Sequence, residues 1–98
     1  MSLKESYNFE NLINEAERLV LEKMEIQLQQ ESSRDICKCQ DCILDMAALA
    51  LNSLKPHYRV SLIGNVYAQT LADGEYAEKV ESAVKFAIKK IAENPSHD

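Results

Sequence analysis

The chain holds only two glycines and two prolines, and that shortage limits its fold more than any other feature. Tight turns draw on these residues, so an architecture of many short strands would need more of them. Three of the four mark the edges of apolar-periodic segments: Pro56, Gly74 and Pro95. Long helices joined by few connections are therefore expected, and the fold class is mainly α. Ninety-eight residues suit one domain with a modest core. The expectation is a single domain over 1–98, with 1–7 and 95–98 as flexible tails.

From Asn8 to Gln30, the apolar positions Phe9, Leu12, Ile13, Ala16, Leu19, Val20, Met24 and Leu28 recur at three and four residues. This spacing predicts an amphipathic helix, with Asn8 as its cap and Glu10 near the positive end of the dipole. Such a helix would run about 34 Å, long for so small a domain. Part of its stripe would find no cover within one chain, so a homodimer is expected. A second helix begins near Asp41. Its segment ILDMAALALNSL is apolar nearly all round, apart from Asp45 and Asn52, which predicts a buried central helix. Lys55-Pro56 ends it, because proline lacks an amide donor and disfavours helix in the residue before it. Asp45 and Asn52 share a face that reads as a solvent or interface stripe.

Residues 57–72 are ambiguous. Tyr58, Val60 and Leu62 alternate with Arg59 and Ser61, which predicts a short strand over Tyr58–Ser61. Beyond it, Gly64-Asn65 can turn a hairpin, or Asn65 can open a short helix. The last element is plain. Tyr76, Ala77, Val80, Ala83, Val84, Ala87, Ile88 and Ile91 mark one helical face between Asp73-Gly74 and Asn94-Pro95. Glutamates lead this helix and lysines close it, the order that its dipole favours. The whole reads as two long amphipathic helices flanking a central one, with a short β-like segment after Pro56.

A net charge of −5 argues against duplex nucleic acid as a partner, since binding there needs a basic face. A local basic pocket for a small phosphate ligand remains compatible with it. No stretch of about eighteen apolar residues could span a membrane. The segment MSLKESYNFENL lacks a signal peptide's apolar core, so a cytoplasmic location is expected. Thiols there stay reduced, and clustered cysteines point to metal before disulfides.

Cys37, Cys39 and Cys42 form such a cluster, C-x-C-x2-C. At this spacing the thiolates can converge on one ion, and Cys42 falls where a helix N-terminus stabilises negative sulfur. A structural zinc site takes four ligands. His57, His97, Asp35, Asp41 or a water could supply the fourth. Iron–sulfur ligation would need a further cysteine that the chain lacks. The plainer reading is three reduced thiols at a helix start. Nucleophilic catalysis finds no motif here, because no cysteine comes paired with a histidine base and an orienting carboxylate.

The string CKCQDCILDMAALALN, followed by LKPHYRVS, resembles the late competence protein ComFB family of bacteria in three features. They are the cysteine cluster, the D-x-x-A-L-A-L-N helix and the P-x-Y segment. The similarity runs over about residues 8–95. It implies a small, mainly helical homodimer without known catalytic activity. Some members carry zinc on their cysteines, which here would be Cys37, Cys39 and Cys42. Zinc-bearing members use a further cysteine nearer the C-terminus. This chain has none there, and His97 is the candidate in its place.

The family is also linked to competence and, in other bacteria, to cyclic di-GMP reception. A two-fold dinucleotide suits a two-fold dimer. Its phosphates want cations and its guanines want planar partners. Lys55, His57, Tyr58 and Arg59 supply those types, with Tyr67, Gln69 and Thr70 following. The plainer reading makes these tyrosines rim aromatics and Arg59 a surface charge. The function expected is thus a homodimeric cyclic di-GMP receptor acting through a regulatory protein partner, with a structural zinc site in the Cys37–Cys42 loop. The alternative is a zinc-stapled protein–protein interaction module in competence or DNA uptake without a nucleotide. A zinc enzyme lacks a general base beside the cysteines.

Overall fold

The structure is a computed structural model and describes residues 2–60 and 74–95. In chain order the elements are α1 (Leu3–Ser6), β1 (Ile13–Asn14), α2 (Glu15–Leu28), a 3-10 turn (Glu31–Ser33), α3 (Gln40–Asn52), β2 (Tyr58–Arg59) and α4 (Glu75–Glu93). The fold is mainly helical, as expected. Residues 62–72, where hairpin and helix compete in the sequence, lie outside the described residues, as does Ser61 at the end of the expected Tyr58–Ser61 strand.

The largest departure is at the first helix, which starts at Glu15 instead of Asn8. Upstream, Asn8 Oδ1 accepts from Glu10 N at 2.8 Å, a local turn in place of a helix cap. Leu12 N donates to Phe9 O at 3.0 Å, closing a second turn. Residues 13–14 then pair antiparallel with β2, in the register Ile13 opposite Arg59 and Asn14 opposite Tyr58. Periodicity at Phe9, Leu12 and Ile13 imitated a helix, and strand pairing with distant residues prevailed over it. Phe9 and Leu12 stay exposed. The helix therefore has 14 residues, about 21 Å, and the argument for a dimer from its excess length falls away. Its remaining stripe is covered within the chain: Ala16, Leu19, Val20 and Met24 are buried.

Asn14 caps α2 because its extended backbone lets Oδ1 accept from Ala16 N at 3.1 Å. Glu15 and Glu17 occupy the first turn, where negative charge is favoured. Within the expected tail 1–7 is a capped turn, α1, in which Ser2 Oγ accepts from Glu5 N at 3.2 Å. It buries nothing. Gly74 precedes α4, and Asn94 follows it before Pro95, both where the sequence puts them.

The core lies where three helices meet, each packing on the other two. Leu19, Val20 and Met24 of α2 face Cys42, Met46 and Ala50 of α3 and Val80, Ala83, Val84, Ala87 and Ile88 of α4. Filling a site such as Val84 or Met46 stabilises the fold by about 1.5–3 kcal/mol each. The expected face of α4 is correct throughout. The expected role of α3 is too strong: its fully buried residues form one stripe at four-residue spacing, and Leu44 is 56% exposed. It packs most extensively on α4 and less on α2. Among the described residues no helix is long and apolar enough to cross a membrane.

Candidate functional site

Two neighbourhoods hold the chemically distinctive side chains, and α3 joins them end to end. At its N-terminus are the thiols. The chain arrives there through the 3-10 turn, which is fastened by Ser33 Oγ donating to Gln27 O at 2.9 Å. Lys38 Nζ then donates to Ser33 O at 2.8 Å, curling the cysteine loop back on that turn. Cys39 is the N-cap of α3, and its Sγ accepts from Cys42 N at 3.4 Å. Cys42 is only 1% exposed and packs in the core, whereas Cys37 and Cys39 are exposed. The loop is thus draped over one buried sulfur.

All three Sγ atoms lie within 4.8 Å of one another. Tetrahedral zinc with bonds of about 2.3 Å needs sulfurs about 3.8 Å apart, so small rotamer adjustments would seat the ion. The donor set fits zinc. Hydrogen bonding from the Cys39 backbone, and then from the Cys39 and Cys42 side chains, holds the Cys37 thiol below its ordinary pKa. Burial, and then the thiols of Cys39 and Cys37, push Cys42 up to about 12. A bound cation would supply the charge that makes ionised Cys42 tolerable. Among the described residues no histidine or carboxylate joins the three cysteines. His57 stands beyond the far end of α3, about 20 Å along the helix. His97 lies outside the described residues.

At that far end is the segment expected to meet a ligand. Its backbone is stitched to the start of α2 and to α4. His57 N donates to Asn14 Oδ1 at 2.8 Å, and His57 O accepts from Glu15 N at 2.8 Å. The His57 ring meets the Tyr76 ring edge-on with centroids 4.3 Å apart. Tyr76 Oη donates to Lys55 O at 2.8 Å. Lys55 and Tyr58 are exposed. Tyr67, Gln69 and Thr70 lie outside the described residues.

Arg59 has an occupation that the sequence did not announce. Its Nε donates to Oε1 of Glu15, a carboxylate only 1% exposed. Arg18 Nε approaches Oε2 of the same carboxylate at 2.7 Å. Burial pushes Glu15 upward, but the hydrogen bonds and charges of Arg18 and Arg59 outweigh it and hold the group below the ordinary glutamate value. Periodicity could not reveal this, because Glu15 sits beside the apolar stripe like any solvated residue. The available signal was Asn14 followed by Glu15 and Glu17, a helix start of the usual composition.

Between the end of α3 and the start of α4 lies an open groove of about 680 Å³, with Leu54, Lys55, Tyr76, Lys79 and Phe86 among its walls. Lys79 is shared there with Glu75, at 3.9 Å.

Two likenesses to known proteins place this arrangement. The family model described as late competence development protein ComFB matches residues 13–95. Among solved structures, the fold is similar to that of the late competence protein ComFB from Bacillus subtilis, with a TM-score of 0.69 and 26% identity. That likeness covers 87% of this chain and 94% of the other. None of the curated proteins matches. With the matched region taking in the thiol corner, all three bundle helices and the Lys55–Arg59 segment, the chain belongs to the ComFB family of late competence development proteins.

Proposed function

We propose that the chain is a non-enzymatic regulatory protein, a zinc-stapled homodimeric module that docks a protein partner in the cytoplasm. The convergence of Cys37, Cys39 and Cys42 within 4.8 Å carries this reading. Zinc would tie the exposed loop sulfurs to a core residue and so fix the connection between α2 and α3. His97 is the proposed fourth ligand. A second copy would cover some of the large apolar side chains that one chain leaves exposed, among them Leu21, Ile26, Leu44 and Phe86. Metal analysis of protein purified without chelator should find about one zinc per chain, and absence of zinc would overturn the staple. Sedimentation across concentrations should find a dimer, and a monomer throughout would overturn that part.

A second reading, cyclic di-GMP reception, is favoured by the groove beside Lys55. Its volume lies within the range of about 300–1,000 Å³ typical of small-molecule sites, and its walls hold Lys55 and Lys79 and the rings of Tyr76 and Phe86 beside the carboxylates of Glu75 and Glu78. In this reading Lys55 meets a phosphate, and His57 and Tyr58 offer planar faces. Tyr67, Gln69 and Thr70 complete the ligand set, and Arg59 contributes the donors that Glu15 does not engage. Calorimetric titration with cyclic di-GMP, and with cyclic di-AMP as comparison, tests it. Lys55→Ala should weaken cyclic di-GMP about tenfold by removing a charged hydrogen bond. No heat from either nucleotide at tens of micromolar would end this reading and leave the staple intact.

A further inference from the structure

The last two cysteines spell C-x-x-C across the start of a helix, and this placement has a chemistry apart from metal binding. Cys39 sits at the N-cap, Cys42 lies in the first turn, and the Cys42 amide is hydrogen-bonded to the Cys39 sulfur at 3.4 Å. Cα atoms three apart on a helical turn lie about 5 Å apart, within the Cα span that a disulfide can bridge. Residues two apart in extended chain stand about 6.6 Å apart, near the upper limit for a bridge. Cys39 is exposed and Cys42 is buried, so one sulfur can meet a solute while the other waits beneath it.

We propose that Cys39 and Cys42 are a redox pair that closes to a disulfide under hydroperoxide and, in closing, gives up the metal. The Cys39 sulfur attacks a peroxide oxygen and the O–O bond breaks. Cys39 becomes a sulfenic acid, and the leaving hydroxide takes up a proton as water. The Cys42 sulfur then attacks the Cys39 sulfur, the S–O bond breaks, and a second water leaves. In sum, two thiols lose two electrons, hydrogen peroxide gains them, and a disulfide and two waters result. Of three sulfur donors only Cys37 then remains for a cation. The release of metal rests on the zinc reading above, whereas the sulfur pairing stands without it.

The full chain, purified without chelator, is treated with hydrogen peroxide and followed by thiol titration, zinc release to a chromophoric chelator and tryptic mapping. Cleavage after Arg34, Lys38 and Arg59 puts Cys37 on peptide 35–38, and Cys39 with Cys42 on peptide 39–59. The titratable thiols should fall from three to one, reversibly with reductant. Peptide 39–59 should become lighter by two hydrogens, while peptide 35–38 keeps its thiol. Cys37→Ser should leave that pairing unchanged. A cross-link between the two peptides, or over-oxidation without a disulfide, would overturn the pairing. If the disulfide forms and zinc stays bound, the switch is overturned and the staple survives. If the purified protein holds no zinc yet the pair closes, the staple fails and the pairing survives.

Discussion

Replacing Arg59 with Ala should cost stability before it costs anything else. Glu15 is 1% exposed, and Arg59, at 20%, is the better buried of its two cationic partners. Arg18 is 44% exposed, so its charge is screened by water and pairs more weakly. Removing one member of a buried ion pair costs about 3–5 kcal/mol, because the other charge is left desolvated. Arg18 persists and recovers part of this, which brings the expectation for Arg59→Ala to about 2–3 kcal/mol. Arg18→Ala should cost less, about 1 kcal/mol. Urea denaturation at pH 7 and one fixed protein concentration, followed by circular dichroism, measures both. In a Glu15→Gln background the Arg59 effect should shrink, since no charge is stranded. Acid supplies a second control. Glu15 is held below its ordinary value in the fold, so its contribution is complete above the unfolded pKa and vanishes as pH falls through the folded one. The difference between the native chain and Arg59→Ala should therefore narrow on acidification. A loss below about 0.5 kcal/mol at pH 7, or a gap that does not change with pH, would refute the buried-pair account.

Other outcomes follow from neighbouring features. Asn14→Ala removes both the cap of α2 and the acceptor for His57 N–H, and should cost about 2 kcal/mol against about 1 for an ordinary cap; chemical denaturation would show the excess. Met46→Ala opens a cavity at the meeting of the three helices and should cost about 2–5 kcal/mol, read as a fall in thermal midpoint with the far-ultraviolet spectrum retained. Stripping metal with a strong chelator should raise hydrogen exchange in residues 37–42 and leave the amides of α4 protected; uniform protection would contradict a local staple.

The periodic parts of the chain were legible because burial alone decides them. Val80, Ala83, Val84, Ala87 and Ile88 lie on one face at helical spacing, and the structure buries that face. The thiol corner was legible for a similar reason, since the short spacing makes convergence nearly unavoidable. Misreading began where a pattern had two causes. Phe9, Leu12 and Ile13 have helical spacing, yet Ile13 belongs to a strand whose partner is residue 59. Arg59 has the chemistry of a phosphate ligand, yet much of its charge answers a carboxylate 44 residues earlier. Both partners, the strand at residue 59 and the carboxylate at residue 15, are long-range, which local spacing cannot express. Leu44 shows a third kind: an apolar run tells how hydrophobic a helix is, not how many neighbours it has.

The double duty of Asn14 bears on how the chain acquires its shape. Its side chain opens α2 and also receives an amide from a residue 43 positions later. Closing a loop of that length is an entropic cost met before any contact rewards it. The body of α2 can form from local bonds alone, but its first turn is complete only when residues 57–59 arrive. The N-terminal end of that helix should then be among the late events of folding, with low φ-values at Asn14 and Glu15 beside higher ones at Val20 and Met24. A helix that looks continuous would be assembled in two instalments, the second timed by a strand from the other half of the chain.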